Sequence, residues 1–264
     1  MIDQSPTTQD SLLSDVELAR FERDGYIIVN KMVAVEVLAA MSAYVDEALS
    51  PLMAPVEFEA DVQYPGAPAD RDAPGGSTPR RLFNAYTRDC VFRDWARSSE
   101  LTQRIAQLIG SKHLVLSQNH HNCIMTKHPG YSSATLWHQD IRYWSFDRPQ
   151  LVNAWLAIGE ESMVNGCMSV LPGSHKLTLD RGRLDSALFL RTDLEENRAL
   201  LATEIPVLLY PGEVLFFDCQ LFHAAGRNGS DQIKKSLVFT YHAADNQPIP
   251  ETRSDATPGI SIDV

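Results

Sequence analysis

Short segments rich in β-branched and aromatic residues, each bounded by turn residues, fill the second half of the chain. They span residues 113–119, 121–128, 151–158, 167–171, 205–210, 213–217 and 235–242, with Pro-Gly turns at residues 129, 172 and 211. Strands this short and this regularly interrupted are typical of all-β folds. The pattern predicts a mainly β core with the strand spacing of a double-sheet jelly roll of about eight strands.

The first half of the chain has helical periodicity instead. Ser14 and Glu17 have the spacing of a capping box, which predicts a helix that starts there and ends at Gly25. Apolar residues at three- and four-residue steps predict a second helix over residues 33–49 and a further helical region over residues 91–109. These helices are expected to pack outside the β core.

Three segments lack either periodicity and are predicted to be irregular. Residues 1–13 are expected to be a flexible lead-in, and residues 56–79, interrupted by prolines and glycines, a long surface loop. Residues 176–203 are expected to cross one rim of the barrel. The 264 residues are therefore predicted to form a single domain, in which a helical support at 14–110 packs on a β-helix core at 113–245.

Charge and cysteine usage limit the classes of function. The formal net charge is -11, whereas a nucleic-acid binder needs clustered Lys and Arg. No apolar run approaches the ~20 residues that span a bilayer, and the N-terminus lacks the basic-then-apolar order of a secretory signal. The four cysteines are scattered, as expected for reduced thiols. We expect a cytoplasmic protein that acts on a small molecule rather than on nucleic acid or membrane; an oligomer is possible but not indicated.

A His-x-Asp pair carries the strongest chemical signal in the sequence. His138 and Asp140 are two apart on an extended segment, so their side chains point to the same side of the strand. His223 follows a late apolar strand and is the candidate third ligand. Two imidazoles and one carboxylate on one face of an octahedron leave the other positions open, a ligand set typical of iron(II) oxygenases. A single His-x-Asp pair is common by chance, so the surrounding sequence must decide.

Several motifs around this pair occur in a fixed order along the chain. With them the sequence resembles the phytanoyl-CoA dioxygenase family of iron(II)- and 2-oxoglutarate-dependent oxygenases. The matching pieces are FERDGY at 21–26, WHQD at 137–140, NAWLAI at 153–158, GCMSVLPGSH at 166–175, PGE at 211–213 and HAAGRN at 223–228.

The resemblance implies a fold, a metal and a reaction. The fold is a double-stranded β-helix, in agreement with the strand pattern above. The cofactors are iron(II), held by His138, Asp140 and His223, with 2-oxoglutarate and oxygen as cosubstrates. The implied reaction is hydroxylation of a small organic substrate with release of succinate and carbon dioxide.

The resemblance also implies a site for 2-oxoglutarate. The family sets an arginine, eleven residues after the distal histidine, against the far carboxylate of the cosubstrate. This chain has Lys234 there, with Lys235 beside it, and Ala225 where the family often has a hydroxyl. Trp155 falls where the family places an aromatic residue next to the cosubstrate, although a core role is equally expected. Thr135 is a further candidate to donate a hydroxyl.

A polar cluster at residues 118–121 lies on a strand expected to run beside the metal-bearing one. Alternation sends Gln118 and His120 to one face and Asn119 and His121 to the other. One pair is expected to face the pocket, and we take Gln118 and His120 as candidate cosubstrate-binding residues.

The sequence suggests functional roles for three other residues but does not decide between those roles and structural ones. By the resemblance, His175 is structural at a rim turn rather than a fourth ligand. Arg80 and Arg81 either bind an anionic substrate or pair with the acids of the neighbouring loop.

Two alternatives to a 2-oxoglutarate-dependent hydroxylase also remain open. Lys234 and Ala225 motivate an iron oxygenase that uses a different cosubstrate. A non-catalytic jelly-roll binding protein is the other alternative.

Overall fold

The computed structural model describes residues 12–62 and 64–264. Most of the predicted flexible lead-in at residues 1–13 therefore lies outside the described residues. At its end Leu13 is buried, and its backbone N–H donates to the side chain of Gln107 at 2.7 Å. The chain is thus already anchored to the domain at residue 13, so the predicted lead-in extends too far at this end.

Two antiparallel sheets pack face to face in the described part of the chain. The larger has nine strands: β1 (Tyr26–Val29), β2 (Val56–Phe58), β3 (Pro79–Phe83), β4 (His113–Leu116), β5 (Asn122–Lys127), β7 (Leu151–Ala157), β10 (Val214–Asp218), β12 (Lys234–Ala243) and β13 (Ile260–Asp263). The smaller has four: β6 (Thr135–His138), β8 (Met168–Val170), β9 (Ile205–Val207) and β11 (His223–Ala225). This arrangement confirms the predicted mainly β fold.

The order of the strands places β12 near the centre of the larger sheet. That order is β1-β10-β7-β12-β5-β3-β2, and β4 pairs with both β12 and β13. The smaller sheet has the order β6-β11-β8-β9. Because β12 is hydrogen-bonded to β7 on one side and to β5 and β4 on the other, its register is fixed along both edges.

Helices cover the outer face of the larger sheet, as predicted. They are α1 (Asp15–Asp24), α2 (Val35–Leu49), α3 (Ala85–Arg88), α4 (Cys90–Ala96) and α5 (Ser99–Ile109). The helix α6 (Glu195–Leu201) lies in the predicted rim insertion and packs instead with Trp137 of the smaller sheet. The capping box of Ser14 and Glu17 starts α1, and Gly25 ends it in the left-handed conformation at φ 82°. No described helix combines the length and apolar character needed to cross a bilayer.

Alternating side chains of the larger sheet build two separate cores. On β7, Ala154 and Leu156 face the helices, whereas Trp155 and Ala157 face the smaller sheet. All seven β7 residues are buried. Since burying a large apolar side chain stabilises a fold by roughly 1.5–3 kcal/mol, both layers are held firmly against this strand.

Some boundaries differ from the sequence predictions. Residues 56–79 are not one surface loop, because β2 and the start of β3 lie there and extend the larger sheet through β5. The helical region predicted at 91–109 is two helices, α4 and α5, separated near Arg97. The β core also extends beyond residues 113–245, since β1, β2, β3 and β13 belong to it. The additional strands form because they pair with strands that are distant in sequence, and local periodicity does not reveal such pairing.

Candidate metal centre

Three buried side chains with metal-binding atoms converge between the two sheets. His138 ends β6, Asp140 begins the helical turn after it, and His223 begins β11. His223 lies directly opposite His138 in the pairing of β11 with β6. The ligand atoms of the three residues all lie within 4.8 Å of one another. The fold therefore brings together the three residues that the sequence indicated as metal ligands.

Each imidazole has one nitrogen bound to the backbone and the other turned toward the carboxylate. Nδ1 of His138 lies 2.8 Å from the carbonyl oxygen of Leu136, and Nδ1 of His223 lies 3.0 Å from that of Leu221. A donated Nδ1–H leaves the Nε2 lone pair available for an ion. The two Nε2 atoms lie 3.6 and 3.7 Å from Oδ1 of Asp140. This donor set fits iron(II).

The second carboxylate oxygen of Asp140 is held from the larger sheet. Nδ2 of Asn153, on β7, donates to Oδ2 of Asp140 at 2.8 Å. Asn153 in turn accepts a hydrogen bond from the hydroxyl of Thr240 on β12. All three side chains are buried. The chain of contacts fixes the carboxylate with one oxygen directed at the histidines.

Burial and neighbouring charges set the ionisation of these groups. Burial, followed by the neighbouring His138, lowers the pKa of His223 to about 4, so the imidazole is neutral at pH 7. Burial alone would raise the pKa of Asp140. The surrounding imidazoles, His121 foremost, outweigh it and hold that pKa well below its ordinary value. A neutral histidine and an ionised aspartate are the forms that bind a metal.

His121 is a neighbour of the triad that the sequence analysis did not select. Its Nε2 lies 3.1 Å from Oδ1 of Asp140, and its side chain is 14% exposed. Burial opposes its charge, but the carboxylate of Asp140 prevails and raises the pKa of His121 to about 9. Strand alternation left two faces open, and the structure directs His121, not His120, toward the metal-binding residues.

An inner cavity opens from the histidines between the two sheets. Three predicted cosubstrate residues, Lys234, Trp155 and Thr135, line it together with His138 and His223. Its wall also includes Ala225, which supplies no hydroxyl there. The structure therefore assembles half of the six predicted cosubstrate residues around one cavity beside the metal ligands.

Lys234 has a partner in this cavity that the sequence did not suggest. Its ammonium lies 2.8 Å from Oε2 of Glu161, and the two side chains are 3% and 0% exposed. The other oxygen of Glu161 accepts hydrogen bonds from Trp155 at 2.7 Å and from Ser236 at 2.6 Å. Glu161 is thus a fully hydrogen-bonded internal carboxylate beside the lysine that replaces the family's arginine.

Three further cations, Lys127, Arg80 and Arg81, line the inner cavity and were not among the predicted cosubstrate residues. Lys127 lies opposite Lys234 in the pairing of β5 with β12, and its ammonium donates to the carbonyls of Ser133 and Gly226. Burial, with Lys234 next, lowers the pKa of Lys127 to about 7. Buried Arg80 also lines the cavity, and its Nη2 donates to the hydroxyl of Thr135 at 3.3 Å. Strand register, which sequence alone did not provide, brings them together.

Three predicted cosubstrate residues lie elsewhere. Lys235 points to the opposite face of β12, where its ammonium lies 2.7 Å from Asp46. Gln118 donates to the carbonyl of Pro258. His120 stacks on Trp144 with ring centroids 4.7 Å apart. The one-residue alternation along β12 explains why Lys234 and Lys235 cannot both face the cavity.

A second, outer cavity of about 280 Å³ reaches the triad from the other side. His138 and Asp140 line it, as do Gln118 and His120. His138, His121 and Arg81 line both cavities. The candidate metal site therefore lies at the wall between two cavities.

The structure also shows the contacts of His175, Arg80 and Arg81, whose roles the sequence did not decide. His175 packs against Gly25, and its Nε2 lies 3.1 Å from the carbonyl oxygen of Glu22, which agrees with a structural role. Arg80 and Arg81 both approach one carboxylate oxygen of Glu57, at 3.6 and 3.2 Å. The ion-pair interpretation therefore applies to both arginines, although two cations share a single carboxylate.

Comparison with known sequences gives a family match. The profile of the family described as phytanoyl-CoA dioxygenase matches residues 21–236. The ectoine dioxygenase of Sphingopyxis alaskensis is 24% identical over 261 residues, which cover 92% of this chain and 80% of that protein. Human peroxisomal phytanoyl-CoA dioxygenase is 32% identical over 117 residues, or 41% of this chain and 33% of that protein.

Solved structures share the fold. The crystal structure of EctD from S. alaskensis with 2-oxoglutarate and 5-hydroxyectoine superposes with a TM-score of 0.73 at 21% identity, covering 90% of this chain and 78% of that one. The epimerase SnoN, in complex with Fe3+, alpha ketoglutarate and nogalamycin RO, gives a TM-score of 0.69 at 20% identity, covering 89% and 85%. At these identities the likeness establishes the double-stranded β-helix fold.

Proposed function

The chain belongs to the phytanoyl-CoA dioxygenase family and is an iron(II)- and 2-oxoglutarate-dependent dioxygenase; we propose that His138, Asp140 and His223 hold the iron and that the product is a hydroxylated small organic molecule. Family membership favours an enzyme over the non-catalytic binding protein considered above.

One observation carries the assignment of the metal ligands. The ligand atoms of two imidazoles and one carboxylate lie within 4.8 Å of one another, and Nδ1 of each imidazole lies at hydrogen-bond distance from a backbone carbonyl. Cavities on both sides of this set leave room for a cosubstrate and for a substrate. Ligands on one face and open space on the others are what oxygen activation at iron(II) requires.

The chain's own residues divide the work of the reaction. Iron(II), 2-oxoglutarate and oxygen together supply the oxidant for C–H hydroxylation, with release of succinate and carbon dioxide. Asn153 keeps the carboxylate of Asp140 directed at the histidines, and buried Trp155 closes the inner cavity against water. The outer cavity orients the substrate beside His138 and Asp140.

We place the far carboxylate of 2-oxoglutarate at the cationic end of the inner cavity. Lys234 and Lys127 lie there on paired strands, and Arg80 lies close by with Thr135. Lysine neutralises a carboxylate as a point charge without the two-pronged geometry of arginine. Four basic side chains, Lys234, Lys127, Arg80 and Arg81, line this cavity, whereas the carboxylates paired with them are Glu161 and Glu57. This excess of basic groups favours an anion there, although Lys127, with a pKa of about 7, is only partly charged at pH 7.

A second candidate function keeps the iron and changes the cosubstrate. Glu161 already gives Lys234 a carboxylate partner, and Ala225 offers no hydroxyl. These two features favour a 2-oxo acid that is shorter or less charged than 2-oxoglutarate. The two candidates share the metal site and differ only in the inner cavity.

Anaerobic loading with iron(II), followed by oxygen and 2-oxoglutarate, tests the proposal. We expect iron-dependent formation of succinate in step with oxygen uptake, abolished in Asp140→Ala. Oxygen uptake without succinate would contradict the first candidate. Parallel reactions with pyruvate and 2-oxobutyrate, which lack the far carboxylate, would support the second candidate if they outpace 2-oxoglutarate.

We also propose a cytoplasmic location. Cys123, Cys167 and Cys219 are buried free thiols, which agrees with a reducing compartment. Fractionation of cells that express the tagged chain checks this proposal.

A further inference from the structure

We propose that the substrate carries an anionic group, a carboxylate or a phosphate, and that Arg142, which adjoins the outer cavity through its neighbour Tyr143, receives that charge together with the lining arginines Arg81 and Arg253. This inference rests on the proposed function, because it takes the outer cavity as the substrate site.

The guanidinium of Arg142 is buried and lacks an acceptor, which an anion could supply. It contacts two aromatic rings, 3.8 Å from the centroid of Phe189 and 4.1 Å from that of Tyr143. Both distances are those of cation–π contacts, which use the ring faces and supply no hydrogen-bond acceptor to the N–H groups. All three nitrogens are buried and have no hydrogen-bond partner. A buried charge without a partner is costly, and an oxyanion in the plane of the N–H groups would remove that cost.

The position of Arg142 ties it to the metal site. It follows Asp140 by two residues on the same helical turn. The ring of Phe189, stacked on the guanidinium, also lies 6.1 Å from the ring of His138, centroid to centroid. Tyr143, whose ring also contacts the guanidinium, lines the outer cavity. An anion held by Arg142 would therefore keep the rest of a small substrate beside the triad.

The cavity wall adds positive charge in a protein that is acidic overall. The chain carries a net charge of -11, yet Arg81 and Arg253 both line the outer cavity. Besides the metal ligand Asp140, the acid among its lining residues in the described chain is Glu57, which Arg80 and Arg81 already share. Arg253 is the lining arginine that these two acids do not hold in an ion pair, and its charge favours an anionic ligand.

An unused donor in the same wall supports an oxygen-rich ligand. Nδ2 of Asn122 is buried without a hydrogen-bond partner, whereas its Oδ1 accepts from the backbone N–H of Tyr86 at 2.9 Å. The amide group is therefore fixed with its NH2 unsatisfied. Asn122 lines the outer cavity, where an acceptor oxygen of the substrate would complete its hydrogen bonds.

Nuclear relaxation tests the inference without knowledge of the substrate. The protein is loaded with paramagnetic Mn(II) in place of iron(II) and saturated with 2-oxoglutarate. Inorganic phosphate is followed by its 31P relaxation, and acetate by that of its 13C-labelled carboxyl. We expect saturable relaxation of at least one probe, and the probe that responds distinguishes a phosphate site from a carboxylate site.

Matched variants locate the binding. Arg142→Met keeps the length of the side chain and removes its charge, so the affinity for the probe is expected to fall by about tenfold to hundredfold. Arg198→Met, at an exposed arginine on α6 paired with Glu195, is the control and should not change it. If Arg142→Met fails to fold, Arg253→Gln at the exposed edge of the cavity is expected to weaken binding by about threefold.

The outcomes separate this inference from the proposed function. Relaxation of the 2-oxoglutarate protons in the same sample reports whether the cosubstrate binds at the metal. Relaxed 2-oxoglutarate with no response of either probe overturns the inference alone. If the folded arginine variants bind the probe as tightly as the wild type does, the inference is also overturned. An anion bound to the metal itself would give this result. Loss of the 2-oxoglutarate signal in the wild type counts against the proposed function instead.

Discussion

Nζ of Lys234, which lines the inner cavity, lies 2.8 Å from Oε2 of Glu161, and both side chains are almost completely buried. Burying two charges is costly, but removing one partner alone leaves the other charge uncompensated. We therefore expect Lys234→Met to lower the free energy of unfolding by about 3–5 kcal/mol. The double variant Lys234→Met, Glu161→Leu should recover most of that loss.

Urea unfolding of the wild type, both single variants and the double variant measures the coupling between the two residues. Additive effects of the two substitutions would show that the pair contributes no coupling energy.

The two neighbouring lysines of β12 should differ in their effect on cosubstrate binding. Lys234→Met removes a cation from the inner cavity and exposes the cosubstrate to the unpaired Glu161, so the KM for 2-oxoglutarate should rise by about tenfold or more. Lys235→Met, on the opposite face, should leave this KM unchanged. Succinate formation at varied 2-oxoglutarate measures both. Equal effects in the two variants would contradict the placement of the cosubstrate.

Asn153 should support metal binding without contacting the metal. Its amide holds Oδ2 of Asp140 at 2.8 Å, and loss of such an outer partner typically costs about 10–100-fold in metal affinity. We expect Asn153→Leu to weaken iron(II) binding by that factor. Thr240→Val, which removes the hydroxyl that donates to Asn153, should have a smaller effect in the same direction.

Competition with a coloured chelator under anaerobic conditions measures the affinity for iron(II) in both variants. Unchanged affinity in a folded Asn153→Leu protein would show that Asp140 needs no support from β7.

His120 should make the protein sensitive to acid. Burial, with the neighbouring His121 next, lowers the pKa of His120 from 6.5 to about 3. Between pH 6.5 and pH 3 the imidazole of His120 is therefore protonated in the unfolded chain but neutral in the folded protein. The free energy of unfolding that this group contributes is fully present above pH 6.5 and declines as the pH falls toward 3. From pH 6.5 to pH 5 the loss is about 2 kcal/mol for this group.

Unfolding of the wild type and of His120→Gln at pH 7 and pH 5 measures this contribution. The variant, which lacks the titrating ring, should lose less stability between the two pH values. A loss equal to that of the wild type would assign the acid sensitivity to other groups.

The sequence predicted those helices and strands that are specified by residues close to one another along the chain. The capping box of Ser14 and Glu17, the stop at Gly25 and the alternation of the late strands all specify their own structure, and each was found where expected. His138 and Asp140 share a strand face by spacing alone, so their convergence could also be foreseen. Placement of His223 needed the family pattern, because 85 residues separate it from His138.

What the sequence could not supply is the register between distant strands. Lys127 faces Lys234 only because β5 pairs with β12 in one alignment, and Glu161 reaches the ammonium of Lys234 from the segment after β7. The segment at 56–79 likewise becomes partly sheet through its pairing partners. Such contacts depend on the whole fold, whereas periodicity reports only which face of a strand a residue occupies.

The shared wall between the two cavities has a consequence for inhibitor design. His138 and His121 border both spaces, so a compound anchored at the candidate metal site has two directions in which to grow. Extension into the inner cavity meets Lys234, whose ammonium is held by the buried carboxylate of Glu161. Extension into the outer cavity meets the arginines instead. A single bridging molecule could therefore draw its selectivity from both sides at once.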